Sequence, residues 1–214
     1  MPDTPGWELE RQLWQAGASL VLGVDEAGRG CLAGPVTAAA VMLPQRPDFP
    51  YRDSKELRPA RRTELAAQLR AEALAMAVGW ASAREVDQHG ILAATHLAAQ
   101  RALKQLQPLP ADTALVTDWL KLTWPGQVLA VAKADRRSFQ VAAASILAKT
   151  ERDEYMEQLA LEVPGYGFEQ HRGYGTPRHL QALDELGPCA EHRLSFAPVA
   201  ARKRSEPAGC TIPA

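Results

Sequence analysis

The chain has 214 residues, 46% of them hydrophobic, and 24 Lys+Arg against 25 Asp+Glu leave a net charge of −1. That length and apolar content suffice to bury the core of one domain, and near-neutrality excludes a molecule drawn to phosphate by overall charge, so any nucleic-acid affinity must come from local patches. Three scattered cysteines, Cys31, Cys189 and Cys210, show neither disulfide nor C-x-x-C metal spacing. Residues 1–11 carry Asp3, Glu8 and Glu10 rather than a signal-peptide core, and no segment reaches about 18 uninterrupted apolar residues, which predicts a cytoplasmic protein that does not enter a membrane.

The run 19–25, Ser-Leu-Val-Leu-Gly-Val-Asp, is apolar and branched and predicts a buried strand stopping at a glycine-rich turn. Residues 36–42 predict a second strand, and the connection 26–35 is too short for a parallel crossover, so the two should pair antiparallel. A helix is predicted over 59–74, with Pro59 near its start. A strand over 75–81 follows, then an alanine-rich helix over 91–106 that stops before Pro108. Residues 113–118 and 127–133 predict two more strands. Ser138 is placed to cap a long helix running through Val141, Ile146, Leu147, Tyr155 and Leu159 to Pro164-Gly165. Beyond Pro164 the sequence predicts loop and surface with one short helix near 177–186, and Arg202-Lys203-Arg204 begin a frayed tail. No internal repeat is present. The pattern describes an α/β fold, a mixed sheet flanked by helices.

Four acids fall at predicted strand ends: Asp25, Glu26, Asp118 and Asp135. A single such acid is usually a solvated surface carboxylate, but four together form an oxygen-rich ligand set with few histidines, which suits Mg²⁺ or Mn²⁺. Two such ions about 3.5–4 Å apart clamp the attacking and leaving oxygens of an in-line displacement at phosphorus. Asp25 and Glu26 converge only if the strand ends between them, which the following glycines permit. The Gly28-x-Gly30-x-x-x-Gly34 spacing misses a dinucleotide-binding loop. Its small residues either let a nucleic-acid backbone approach or make a plain tight turn. Lys55, Arg58, Arg61, Arg62, Arg136, Arg137, Lys149, Arg152, His171 and Arg172 are either solvated surface or a phosphate-binding patch, with His171 equally able to serve as a structural hydrogen-bonder. Tyr174, between Gly173 and Gly175, reads as a functional aromatic on a loop.

The stretch Gly23-Val24-Asp25-Glu26-Ala27-Gly28-Arg29-Gly30, followed by Leu32-Ala33-Gly34-Pro35, resembles the signature of bacterial ribonuclease HII, the type 2 ribonuclease H family. Asp53-Ser54-Lys55, Lys133-Ala134-Asp135, the block 141–149, Tyr166-Gly167-Phe168, the block 171–176 and Ser195-Phe196-Ala197-Pro198 agree in order, so the resemblance spans roughly residues 19–199. It implies an RNase H-like fold with a mixed five-stranded sheet: an N-terminal segment 1–18, a catalytic domain 19–163, an extension 164–201 completing the substrate site, and a flexible tail 202–214. It implies a metal-dependent endoribonuclease, using Mg²⁺ or Mn²⁺, that hydrolyses the RNA strand of RNA–DNA hybrids and incises at single ribonucleotides in duplex DNA, leaving 3′-hydroxyl and 5′-phosphate ends. Asp25, Glu26, Asp118 and Asp135 would be the catalytic metal acids, with Asp135 helping to hold the second ion. Gly28, Arg29 and Gly30 would grip the ribonucleotide 2′-hydroxyl, Tyr174 would sense the RNA-to-DNA junction, and Lys55 and Lys149 would contact substrate. A monomer is expected, with any partner in the replication machinery left open. A DNA-strand nuclease on the same fold and a non-catalytic hybrid-binding module are the rival readings. The chain departs from the family pattern at Trp119-Leu120, where glycine and a polar residue are usual, at Cys31 in place of proline, and at Glu56 in place of lysine.

Overall fold

The computed structural model, which describes residues 5–202, is organised around an apolar strand, β1 (Val21–Ala27), buried at every position but Glu26. It pairs antiparallel with β2 (Val36–Met42), and β2 pairs antiparallel with β3 (Ala75–Ala81). On its other edge β1 pairs parallel with β4 (Ala114–Asp118), and β4 with β5 (Val128–Val131). The order is β3-β2-β1-β4-β5, the mixed five-stranded sheet expected. Its two central parallel strands, β1 and β4, therefore open their C-terminal ends on the same side, the usual position for a site in an α/β sheet.

In chain order the helices are α1 (Glu8–Gln15), α2 (Pro59–Glu72), α3 (Ala83–His89), α4 (Ile91–Gln105), α5 (Phe139–Glu162), α6 (Phe168–His171), α7 (Pro177–Leu186) and α8 (Ala197–Ala200). Helix α4 packs Ala94, Ala98, Ala99 and Ala102 against Leu22, Val24, Ala38 and Ala40 on one sheet face. Helix α5 covers the other face, flanked by α1 and α2. Small side chains let α5 lie very close to β1: a Cβ on Gly23 would sit 2.2 Å from the Gln140 carbonyl carbon, so only glycine fits there. Ser138 caps α5 as anticipated, its Oγ accepting from the Val141 amide at 3.0 Å. The helix spans 24 residues, about 36 Å at 1.5 Å per residue, so its first half packs on the sheet while its second half reaches the C-terminal residues.

Four helices were not anticipated: the single-turn α6 and α8 beyond Pro164, and α1 and α3 before it. In α1 the apolar signal is short, Leu9, Leu13 and Trp14, and the helix is held by tertiary contacts: Trp7 packs on Phe49 and Phe139, and buried Glu10 accepts from Ser138 Oγ at 2.5 Å. Burial pushes the Glu10 carboxyl up to about 7. The signal for α3 was present, because Ser82 and Glu85 form a reciprocal capping box at its start.

Residues 164–202 are not the surface loop expected. Phe168, Leu183 and Val199 bury themselves against Met156 and Leu159 of α5 in a separate apolar cluster. Irregular backbone can be buried here because side chains satisfy its polar groups. Buried His192 accepts from the Cys189 amide on Nδ1 (3.0 Å), so its Nε2–H donates to His179 Nε2 (3.0 Å), whose Nδ1–H donates to the Tyr174 carbonyl (2.9 Å). Arg202, expected in a frayed tail, pairs with Asp184 at 2.8 Å; residues 203–214 lie outside the described residues.

That histidine relay works only with both rings neutral. Burial holds His179 and His192 down at about 4, below the ordinary 6.5. With folded values depressed, the stability they contribute is complete above the unfolded value and is lost as pH falls through the folded one. Amide hydrogen-exchange protection of residues 164–202 should therefore decline between about pH 6.5 and 4 ahead of protection in β1 and β4. Parallel loss in both regions would show that the relay does not set the lobe's acid stability.

Candidate active site

The register of β1 on β4 pairs Val24 with Thr117, so one step further on Asp25 and Asp118 stand side by side. Both face α5, because Asp25 alternates with Gly23, which lies under α5, and Asp118 with Val116 of the same cluster. The third acid arrives differently. Strand β5 ends at Val131, Lys133 turns the chain at a φ of 59°, and Asp135 lies in the short 3₁₀ turn 134–136 ahead of α5. The Ala134 amide donates to Asp118 Oδ1 at 3.1 Å, tying that turn to the end of β4.

Glu26 does not join them by an early strand end. Strand β1 continues through Ala27, so Glu26 points to the opposite face from Asp25. There its Oε1 accepts from Arg29 Nη1 at 3.2 Å, and Arg29 lies over the Trp119 ring, 4.5 Å from its centroid.

The acids are electrostatically expensive as they stand. Asp25 is 7% exposed and Asp135 4%. Burial, then the charges of Glu26 and Asp118, hold the Asp25 carboxyl well above the usual carboxylate range. Burial, then Asp53 and Asp118, push Asp135 up to about 6. Burial also raises Glu26, against the pull of Arg29. Among the described residues no three His, Cys, Asp or Glu side chains form a ready-made metal nest. Asp118 Oδ1 accepts from the Ala134 amide and Glu26 Oε1 from Arg29. The donors nonetheless fit a hard divalent cation: they are all oxygens, they destabilise one another, and Glu26 Oε2 is buried with no hydrogen-bond partner.

Beside the acids is a cleft of about 260 Å³ lined by Asp25, Glu26, Gly28, Arg29, Gly30, Lys55, Lys149 and Tyr174, with Ser54 and Ser145 in its wall. Asp118 and Asp135 are not among its lining residues. Lys149 bonds to Asp153 and sits 5.9 Å from the half-exposed Tyr174 ring. Desolvation holds the Lys149 ammonium below its ordinary value.

The structure redraws the cationic patch. Arg152 is fully buried, Arg62 is buried on Asp153 at 3.1 Å, and His171 is buried on the Tyr166 carbonyl at 2.8 Å. Arg61, Arg137 and Arg172 pair with Glu64, Glu8 and Glu157, and Arg136 pairs with Glu56 at 3.0 Å. Arg29, Lys55 and Lys149 are the cations that line the cleft.

Burial also divides the loop glycines. Gly28 has a φ of +88°, and a Cβ there would meet Arg152 Nε at 2.0 Å, so this glycine is required by the fold. Gly30 faces open space and needs no such explanation. Sequence reasoning did not single out Asp53, whose buried charge raises Asp135, or Arg193, whose Nη1 donates to the Arg29 carbonyl at 2.9 Å. The block at Asp53-Ser54-Lys55 pointed toward the first; no sequence signal marked the second.

A mixed sheet in this order, with mutually repelling carboxylates at its parallel centre and a cation-lined cleft beside them, defines a nuclease of the ribonuclease H class. The family model for ribonuclease HII matches residues 22–199. The ribonuclease HII of Thermus thermophilus is 54% identical over 192 residues, covering 90% of this chain and 93% of that protein. Among solved structures, the ribonuclease H2 of Pyrococcus horikoshii superposes with a TM-score of 0.73 at 26% identity, covering 86% of this chain and 96% of that one. The ribonuclease HII of Archaeoglobus fulgidus, solved in complex with PCNA, gives 0.70 at 25%, covering 87% and 98%. This chain belongs to the ribonuclease HII family.

Because the Asp25 and Asp135 values are raised, the stability these acids contribute is complete below about pH 4, the ordinary carboxylate range, and is lost as pH rises through their folded values, about 6 for Asp135. In chelator at pH 8, Asp25→Asn should therefore melt above wild type, the gap should close toward pH 4, and Mg²⁺ should raise wild type more than the variant. Thermal melts followed by circular dichroism measure this. A variant less stable than wild type in chelator at pH 8 would refute the repulsive reading of the cluster.

Proposed function

We propose that this ribonuclease is a divalent-metal-dependent endonuclease that cuts the RNA strand of RNA–DNA hybrids and also incises duplex DNA at a single embedded ribonucleotide. The observation that carries this reading is the meeting of Asp25 and Glu26, whose carboxyls burial raises, with a cleft walled by Gly28-Arg29-Gly30 and Tyr174, while the charges of Asp118 and Asp135 raise Asp25 further. A site built only to hold a polyanion gains nothing from buried, repelling carboxylates. With Mg²⁺ or Mn²⁺ bound, these acids would gain the positive charge that offsets their repulsion, and the ions would activate a water and stabilise the leaving oxygen. Asp25, Asp118 and the main chain or side chain of Glu26 would hold one ion, and Asp135 would help to hold the other.

The remaining groups bind and orient. The Gly28–Gly30 backbone lies where a sugar can approach closely, and a 2′-hydroxyl is the group that distinguishes RNA from DNA there. Lys55 and Lys149 present ammonium groups to a phosphate in the cleft, with Lys149 held by Asp153. Attack by water in line with the P–O3′ bond breaks that bond, leaving a phosphate on the 5′ end and a hydroxyl on the 3′ end. The ring of Tyr174 lies at the cleft rim, placed to pack on the nucleotide 3′ of the ribonucleotide. We place the enzyme in the cytoplasm as a monomer, in keeping with Cys31 and Cys189 as free thiols and with the lack, among the described residues, of a helix long and apolar enough to cross a membrane.

A labelled duplex carrying one ribonucleotide, incubated with protein and Mg²⁺, tests the reaction. Asp118→Asn should lose at least about 10³-fold in rate with folding and binding kept, and Asp135→Asn should be severe but partly recover at high Mn²⁺. Near-normal cleavage by pure Asp118→Asn would remove that acid from the catalyst. For Tyr174, single-turnover rates should fall about tenfold or more in Tyr174→Ala with little change in binding, while Tyr174→Phe stays near wild type, the pattern of an interaction strengthened in the transition state. Equal losses of binding and rate in Tyr174→Ala would reduce Tyr174 to a loop-packing residue.

A further inference from the structure

Trp119 follows Asp118 directly and has a φ of +69°, a backbone conformation that a bulky L-residue rarely adopts. The turn around it is tightly held. The Trp119 amide donates to the Val131 carbonyl at 3.3 Å, the Leu120 amide to the Asp118 carbonyl at 2.8 Å, and Thr117 Oγ1 to the Leu120 carbonyl at 2.6 Å. Leu120 is buried, yet the Trp119 side chain is not drawn into the core and is 48% exposed. Core packing therefore does not explain the residue. Strain of this kind persists where the surrounding structure enforces it, and it clusters at functional sites.

What the ring does touch is Arg29. The guanidinium carbon lies 4.5 Å from the Trp119 ring centroid, Nη1 donates to Glu26 Oε1 at 3.2 Å, and Nε is buried with no hydrogen-bond partner. The Arg29 carbonyl is fixed from the other side by Arg193 at 2.9 Å. Arg29 is thus held at its backbone by one arginine and at its side chain by an aromatic face and a carboxylate. Gly30 is the open end of the 28–30 segment, where nothing lies within 4 Å of a Cβ position.

We propose that Trp119 is a positioning residue for ribonucleotide recognition: its strained, outward-turned ring pins Arg29 and so presents the Gly28–Gly30 segment to the substrate sugar in one geometry. This rests on the reading of that segment as the 2′-hydroxyl grip. A cation over an aromatic face is held in both distance and plane, so the loop keeps its shape before substrate arrives. The left-handed turn is what aims the ring at Arg29 rather than into the core. Strain at Trp119 and order at Arg29 are two sides of one arrangement.

The proposal makes stability and activity move in opposite directions. Glycine accepts a φ of +69° freely, so Trp119→Gly should melt at or above the wild-type temperature. The same change should lower the cleavage rate at a single ribonucleotide by about tenfold or more, chiefly in kcat rather than KM. Trp119→Phe should recover most of that loss, since it restores an aromatic face. In an Arg29→Ala background, Trp119→Gly should cause no further loss, because the two act as one unit. Wild-type rates in Trp119→Gly, additive losses with Arg29→Ala, or a loss that follows a lowered melting temperature and is not recovered by Phe would each overturn the proposal. Wild-type enzyme is run in parallel on duplexes carrying a ribonucleotide or only deoxyribonucleotides at the same position. If it cuts both, the 2′-hydroxyl reading itself fails; if it cuts only the first while Trp119→Gly is unimpaired, only the role of Trp119 fails.

Discussion

Two buried arginines hold the loop 28–35 in place, and among the described residues neither forms an ion pair. Arg152 donates to the carbonyls of Ala33, Pro35 and Arg172 at 2.9–3.0 Å, and Arg193 donates to those of Gly34 and Arg29 at 2.9–3.1 Å. Burying a charge costs several kcal/mol unless every donor is satisfied, and here the satisfaction comes from backbone dipoles of the 28–35 loop. Desolvation lowers Arg193 to about 10, so the group remains a cation at neutral pH. Because a guanidinium fork has fixed geometry, each arginine dictates where several carbonyls must lie.

That clamp joins parts of the chain with separate cores. Arg152 stands on α5, Arg193 comes from the C-terminal lobe, and the loop they hold continues from the sheet. The lobe is therefore part of the frame that shapes the Gly28–Gly30 segment. The histidine relay adds a second tie, from Cys189 through His192 and His179 to the carbonyl of Tyr174. The acids depend instead on the sheet, where parallel register alone sets Asp25 beside Asp118. The clustered acids and the Gly28–Gly30 loop thus rest on different supports that meet at one cleft.

Backbone strain marks the same places. Among the described residues the non-glycine residues with positive φ are Trp119, Lys133 and Arg172. The first follows Asp118, the second precedes Asp135 by two residues, and the third precedes Tyr174 by two while giving its carbonyl to Arg152. Each bends the chain beside an acid of the cluster or an aromatic of the cleft, and a packed neighbourhood is needed to hold such bends.

Much of this was legible in the sequence because its physical cause is local. Branched apolar runs specified the five strands, a short connection specified the antiparallel β1–β2 pair, Ser138 specified the start of α5, and the motif around Asp25 resembled one family. Nothing local told buried from exposed among charged residues. Arg152 and Arg62 read as surface or phosphate contacts because arginine usually is, His171 stayed open between the patch and a structural hydrogen bond, and only the assembled fold shows carbonyls or a carboxylate waiting for them. The direction of Glu26 was likewise undecided, since adjacent acids converge or diverge according to where a strand ends, and that depends on pairing with β2 through Ala27. The sequence by itself determined the strands and main helices, the positions of the acids and the family; tertiary structure alone decided which charges are buried, which glycine serves the fold and which faces open space, and that Trp119 lies under Arg29, because each of these depends on partners brought together by chain folding rather than by spacing.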